Sequence, residues 1–138
     1  MGADIHGVLQ SRFKNDRGEW SSWTDEGEIE DTRHYLKFAY LANVRNYYSV
    51  SPIAEPRGLP EDFQMEESGY QVDTHLLWGR EVWMGDHSYS WLLLSEIRDH
   101  EYPEEDREYL DTFFKWVDYA ASKCGGYENG RIVFGFDS

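Results

Sequence analysis

Residues 103 to 137 read PEEDREYLDTFFKWVDYAASKCGGYENGRIVFGFD, and within them the hydrophobic period changes. Leu110, Phe113, Phe114, Trp116, Val117, Ala120 and Ala121 recur at the three-and-four spacing of one helix face. Pro103 stands where a first helical turn accepts proline, and Gly125-Gly126 where a helix stops. Arg131 to Phe136 then alternates, with Ile132, Phe134 and Phe136 on one side, which predicts a strand facing the core. Working outward, Arg33 to Arg45 repeats the helical pattern through Tyr35, Phe38, Ala39, Leu41, Ala42 and Val44, without Gly or Pro and with Thr32 as its cap. Asp4 to Phe13 alternates in part (Ile5, Val8, Leu9, Phe13), and the turn formers Asn15 to Gly18 lead to an expected second strand, Glu19 to Thr24. The acidic stretch Asp25 to Asp31 reads as a solvated connection.

Asn46 to Thr74 is a long connection holding Pro52, Pro56 and Pro60, with a short helix expected from Pro60 through Glu67. His75 to Leu94 reads as two strands joined near Gly85-Asp86, followed by a short helix at Ser95 to Asp99. These patterns predict one globular α+β domain over residues 1 to 138: an antiparallel sheet with two main helices packed on one face and a long proline-containing loop. A chain of 138 residues suits a single core. Its 27 acidic against 13 basic residues give a net charge of -14, a field that repels nucleic-acid backbones. No apolar run is long enough for a membrane span, and residues 1 to 8 lack the marks of a signal peptide, so the expectation is a cytoplasmic protein. Cys124, the single cysteine, follows an apolar helical face and reads as packing.

Several polar groupings offer chemistry. Asp4 and His6, two apart on a strand, share a face; with Asp86 and His87 they supply the two His and two carboxylates that a hydrolytic divalent metal site uses. Taken alone, Asp4 and His6 read more commonly as a half-buried His hydrogen-bonded to Asp. Arg45-Asn46 closes the first helix and presents planar donors suited to phosphate or carboxylate, while the helix dipole alone also accounts for Arg45. Arg57 sits in Pro56-Arg57-Gly58-Leu59-Pro60, where flanking prolines fix the backbone. In Gly85-Asp86-His87-Ser88-Tyr89-Ser90-Trp91, His87, Ser88 and Ser90 are candidates for phosphate contacts and Trp91 for stacking on a base, against the reading of a capped turn with a core Trp91. His34, His75 and His100 show no partner pattern. The acidic runs Asp25 to Asp31, Glu61 to Glu67 and Glu101 to Asp106 are solvated faces, or together an array resembling phosphates.

Met-Gly-x-Asp-Ile-His at residues 1 to 6, Phe38-Ala39-x-Leu41-Ala42-x-Val44-Arg45-Asn46, the Pro56 to Pro60 motif, Asp86-His87-Ser88-x-Ser90-Trp91-Leu92 and the ending Arg131 to Asp137 together resemble a family of small bacteriophage and prophage proteins. Ala3 departs from the Cys of that opening motif. The resemblance implies a common fold and an anti-defence or host-interaction role in an infected bacterial cytoplasm. Three functions are compatible with it. One is sequestration of a small nucleotide-like ligand by Arg45, Asn46, Arg57, His87, Ser88, Ser90 and Trp91, with no cofactor. Another is metal-dependent phosphoester hydrolysis through Asp4, His6, Asp86 and His87. The third is inhibition of a host nucleic-acid-binding protein by an acidic surface. A host defence protein and a second copy of the chain stand as further partners; direct nucleic-acid binding and membranes do not. The first two functions require the named residues to meet around one polar hollow.

Overall fold

The computed structural model describes residues 2–68 and 71–137. Met1 of the opening motif and Gly69 and Tyr70 of the long connection lie outside the described residues. The chain runs β1 (Ile5–Ser11), β2 (Thr24–Glu28), α1 (Tyr35–Ala42), β3 (Glu66–Ser68), β4 (Gln71–Leu77), β5 (Arg80–Trp83), β6 (His87–Leu93), α2 (Leu94–Asp99), α3 (Glu104–Tyr109), α4 (Asp111–Cys124) and β7 (Gly130–Phe136). β2, β1, β7 and β6 form an antiparallel sheet in that order, so the first and last strands pair at its centre. The α+β architecture expected from the sequence is present, with α1 and α4 on one face of this sheet.

Alternation decides what each face meets. Ile5 and Leu9 of β1, Leu92 of β6, and Ile132, Phe134 and Phe136 of β7 pack with Phe38 and Leu41 of α1 and Phe113, Val117 and Ala120 of α4. The intervening Val8 and Val133 point the other way, toward Phe63, Leu77, Val82 and Met84. That second cluster belongs to an additional sheet, β3-β4-β5, which covers the opposite face. β7 is therefore buried along its whole length. Where β7 passes Met84, the residue after β5, the backbones approach so closely that a Cβ on Gly135 would lie 2.2 Å from Met84 O.

Several local expectations are corrected. The partner of β1 is Thr24–Glu28, not Glu19 to Thr24; the acidic stretch is thus partly a strand. An edge strand pairs through its backbone, and its carboxylates find cations or donors: Glu28 meets Arg80, and Asp25 meets Gln10 and His75. Trp20 and Trp23 instead pack against Arg12 in the excursion before β2. Helix α1 starts after His34 rather than at Thr32, whose N–H donates to the Glu30 carboxylate, and it ends at Asn43 in the left-handed region. No helix spans Pro60 to Glu67: Phe63 N–H closes a turn onto Pro60 O, Phe63 is buried in the second cluster, and Glu66–Ser68 pairs with β4. His75 to Leu94 contains parts of three strands, because Trp78 and Gly79 form a tight hairpin turn, and the segment is divided between the two sheets. The second long helix breaks at Leu110, which plugs against Leu36 and Tyr40. Its stop is as expected, with Gly125 left-handed and Gly126 N–H donating to Ala121 O.

Candidate functional site

The residues singled out by their chemistry do not share one hollow. Asp4 is held in a two-pronged ion pair by Arg33 at 2.8 and 2.9 Å. His6 Nε2 lies 2.6 Å from Asp137 Oδ2, and its ring packs against Trp83. Strand alternation turns His6 toward the second sheet, whereas the His87 ring faces Phe136, a member of the helix-side core. Asp86 is exposed. Among the described residues no three His, Cys, Asp or Glu side chains converge as metal ligands, so the four-residue metal constellation is not assembled.

The anion-binding candidates are likewise divided. Asn46 is used inside its own loop, donating to Asn43 Oδ1 and Val50 O and accepting from Val50 N–H. Arg45 lies over the Tyr35 ring and donates to Tyr47. Arg57 makes a bidentate pair with Glu96 at 2.9 and 2.6 Å, donates to Trp91 O and stacks over the Trp91 ring. Hydrogen bonding from Arg57 holds Glu96 below the ordinary carboxylate range against the opposing effect of burial. Ser90 is buried and accepts from the Arg57 N–H, a backbone role. Ser88, in the left-handed region, bonds His87 Nδ1, and His87 Nε2 is buried with no hydrogen-bond partner. Cys124 is buried, which pushes its thiol up to about 11, as the packing reading requires.

Two places join carboxylates of the acidic runs to polar and aromatic residues that the sequence did not single out. On the face of the main sheet turned toward the second sheet, register sets Gln10 opposite both Asp25 and Arg131. Gln10 and Arg131 are only 6% and 4% exposed on central strands. Arg131 Nε donates to Gln10 Oε1, Gln10 Nε2 donates to Asp25 Oδ1, Arg131 Nη2 donates to Asp62, and His75 Nε2 lies 2.9 Å from Asp25 Oδ2. Every member of this strip is hydrogen-bonded, as burial demands. A cavity of about 220 Å³ opens onto Gln10, Trp23, Asp25, Asp62, Gln64 and His75. It shares Asp62 with an open groove of about 610 Å³ walled by Arg57, Leu59, Pro60, Glu61 and Trp91.

The second place lies between α1 and α3. Tyr40, Tyr48, His100, Glu101, Glu105 and Asp106 line a cavity of about 460 Å³. Tyr40 donates to Asp106, and burial together with that bond pushes the phenol upward. Glu101, Glu104, Glu105 and Glu108 are exposed beside it, as are Tyr48 and Tyr109. Comparison of the chain with protein-family models, with curated proteins and with solved structures returned no match. Among the described residues no helix is long and apolar enough to cross a membrane.

Proposed function

We propose that the chain is a binding protein that works through its acidic surface, engaging the Lys- and Arg-rich, nucleic-acid-binding face of a partner protein. The observation that carries this reading is where the cations go. Of the 13 basic residues, seven (Arg33, Lys37, Arg57, Arg80, Arg98, Lys115 and Arg131) are in ion pairs with the chain's own carboxylates. Arg12, Lys14 and Arg107 lie over aromatic rings, and Lys123 donates to Glu26 O. Internal pairing thus leaves the excess of carboxylates to face outward, concentrated with tyrosines on α3 and its cavity. Such a surface steers toward basic faces and repels phosphates. The resemblance to phage and prophage proteins supports a host or defence protein as that partner.

The test is capture of heparin-purified nucleic-acid-binding proteins on the immobilised chain. Capture at about 50 mM salt that is lost at about 500 mM and competed by duplex DNA is the expected result. No capture, or capture indifferent to both salt and DNA, refutes the reading. Sequestration of a small phosphate-bearing ligand by the candidate residues acting together is disfavoured, because Asn46, Arg57 and Ser90 are turned to separate internal partners; what supports it is the unpartnered His87 Nε2 beside Ser88. Calorimetric titration with ADP-ribose and cyclic dinucleotides examines it, and absence of heat for both removes it.

A further inference from the structure

We infer that the groove running from Trp91 to His75 is a binding site for a neutral saccharide. The two cavities share Asp62 as a lining residue and so adjoin along one groove with unlike walls. Leu59, Pro60 and the part of Trp91 that Arg57 does not cover give it an apolar side, the kind of surface against which the C–H face of a pyranose ring packs. Asp25, Asp62, Gln10, Gln64 and His75 give it a side rich in hydrogen-bonding groups.

Charge selects among ligands. An anion entering the groove would meet Asp25, Glu61 and Asp62, while the Arg57 guanidinium that lines it is already bidentate with Glu96 and the Arg131 guanidinium is committed to Gln10 and Asp62. A cation would find Asp62 paired with Arg131 and Asp25 bonded to Gln10 and His75. A neutral polyol needs none of these pairs broken. Each carboxylate oxygen has more than one acceptor position, so a ligand hydroxyl can donate to Asp62 or Asp25 while both keep their internal partners. Those partners are themselves fixed: Gln10 and Arg131 are anchored in the central strands, Phe63 stacks on His75 at 4.3 Å, and His75 Nδ1 is 2.9 Å from Gln64 O. The acceptors are therefore held in place before any ligand arrives, which lowers the ordering cost of binding.

The experiment is titration of the intact chain with maltohexaose, cellohexaose, chitohexaose and, separately, ADP-ribose, read by the tryptophan indole N–H signals in NMR. The expected result is a saturable shift of the Trp91 and Trp23 indole signals with at least one of the three saccharides. Asp62→Asn and Gln64→Ala, both at exposed positions, should each weaken that binding about tenfold, the loss of roughly one ligand hydrogen bond. Glu105→Gln, which lines the other cavity, should leave it unchanged. The inference is overturned if none of the saccharides shifts the indoles at about 10 mM, a level at which even weak sites fill. It is equally overturned if binding survives both groove variants intact, or if ADP-ribose alone occupies the groove.

Discussion

Lys37 sits inside helix α1 with 1% of its side chain exposed, and what its partner contributes can be worked out from the geometry. Its Nζ donates to Glu30 Oε2 at 2.7 Å, approaches Glu30 O at 3.4 Å, and lies 5.3 Å from the Phe113 ring centre and 5.9 Å from that of Phe38. Burial pushes the Glu30 carboxyl upward, but hydrogen bonds from Lys37 and Thr32 outweigh it and hold the group below its ordinary value. Removing one partner of a buried pair strands the other charge away from water, whereas replacing both with apolar or neutral groups of similar shape is close to neutral. Glu30→Gln leaves an ammonium facing two aromatic rings and should cost about 3 kcal/mol, which is roughly 10 °C in Tm for a chain of this length. Lys37→Met strands the carboxylate instead. Glu30 lines a cavity of about 140 Å³ and keeps some access to water, so the cost falls to about 1 to 2 kcal/mol. The double variant should lie within about 1 kcal/mol of the parent, a non-additivity of roughly 3 kcal/mol. Urea unfolding of the four proteins measures all three values, provided the slopes agree. Simple additivity of the single changes, or a Glu30→Gln effect under about 0.5 kcal/mol, would refute the reasoning.

Trp78 is 70% exposed at φ 52° in the β4-β5 turn, a conformation Asn adopts more easily. Trp78→Asn should therefore raise stability by about 1 kcal/mol, and a lower Tm would contradict the strain. Arg57 lowers the folded-state value of Glu96, so the unfolded chain binds the proton more readily. The stabilisation is complete above the unfolded carboxylate value of about 4.3 and is lost as pH falls through the lower folded value. Glu96→Gln should flatten that stretch of a Tm-against-pH curve, and an unaltered slope would show that the Arg57 pair does not contribute. Gly135→Ala places a methyl 2.2 Å from Met84 O and 2.6 Å from Tyr89 Cδ1. Because the obstructing atom is backbone, a loss of about 2 to 3 kcal/mol by calorimetry is expected, and a change near zero would mean the sheets can separate locally.

How legible the fold was depended on whether a segment carries its own signal. α4 and β7 could be read because an apolar stripe, a terminal glycine pair and an alternating run are local features. β2 could not: TDEGE has no hydrophobic pattern, and it becomes a strand because β1 presents a free edge and because Gln10, His75 and Arg80 receive its carboxylates. The second sheet was hidden for a related reason. Val8 and Val133 need a cover on the face away from the helices, and nothing local says that Phe63, Leu77, Val82 and Met84 supply it. Leu110 was read as part of a continuous stripe, whereas its burial against Leu36 and Tyr40 turns the chain and splits the helix.

The candidate sites were less legible because residue type indicates capacity, not availability. Arg57, Asn46 and Asp4 have the chemistry assigned to them, but each spends it on a partner elsewhere in the chain: Glu96, Val50 and Arg33. Gln10 and Arg131 are 121 positions apart and were overlooked, yet they are the polar side chains the two central strands bury. One sequence signal was available for them: each lies on the face opposite the helix-side apolar residues of its strand, Gln10 next to Leu9 and Arg131 next to Ile132. A buried guanidinium on a central strand is costly unless it is fully bonded, and desolvation does lower its proton affinity here. An apolar pair at positions 10 and 131 would fill the same layer without that cost. What the polar pair supplies instead is orientation, since Gln10 fixes Asp25 and Arg131 fixes Asp62 on either side of one cavity. The proposed groove depends on that orientation, because it would present both carboxylates at set positions.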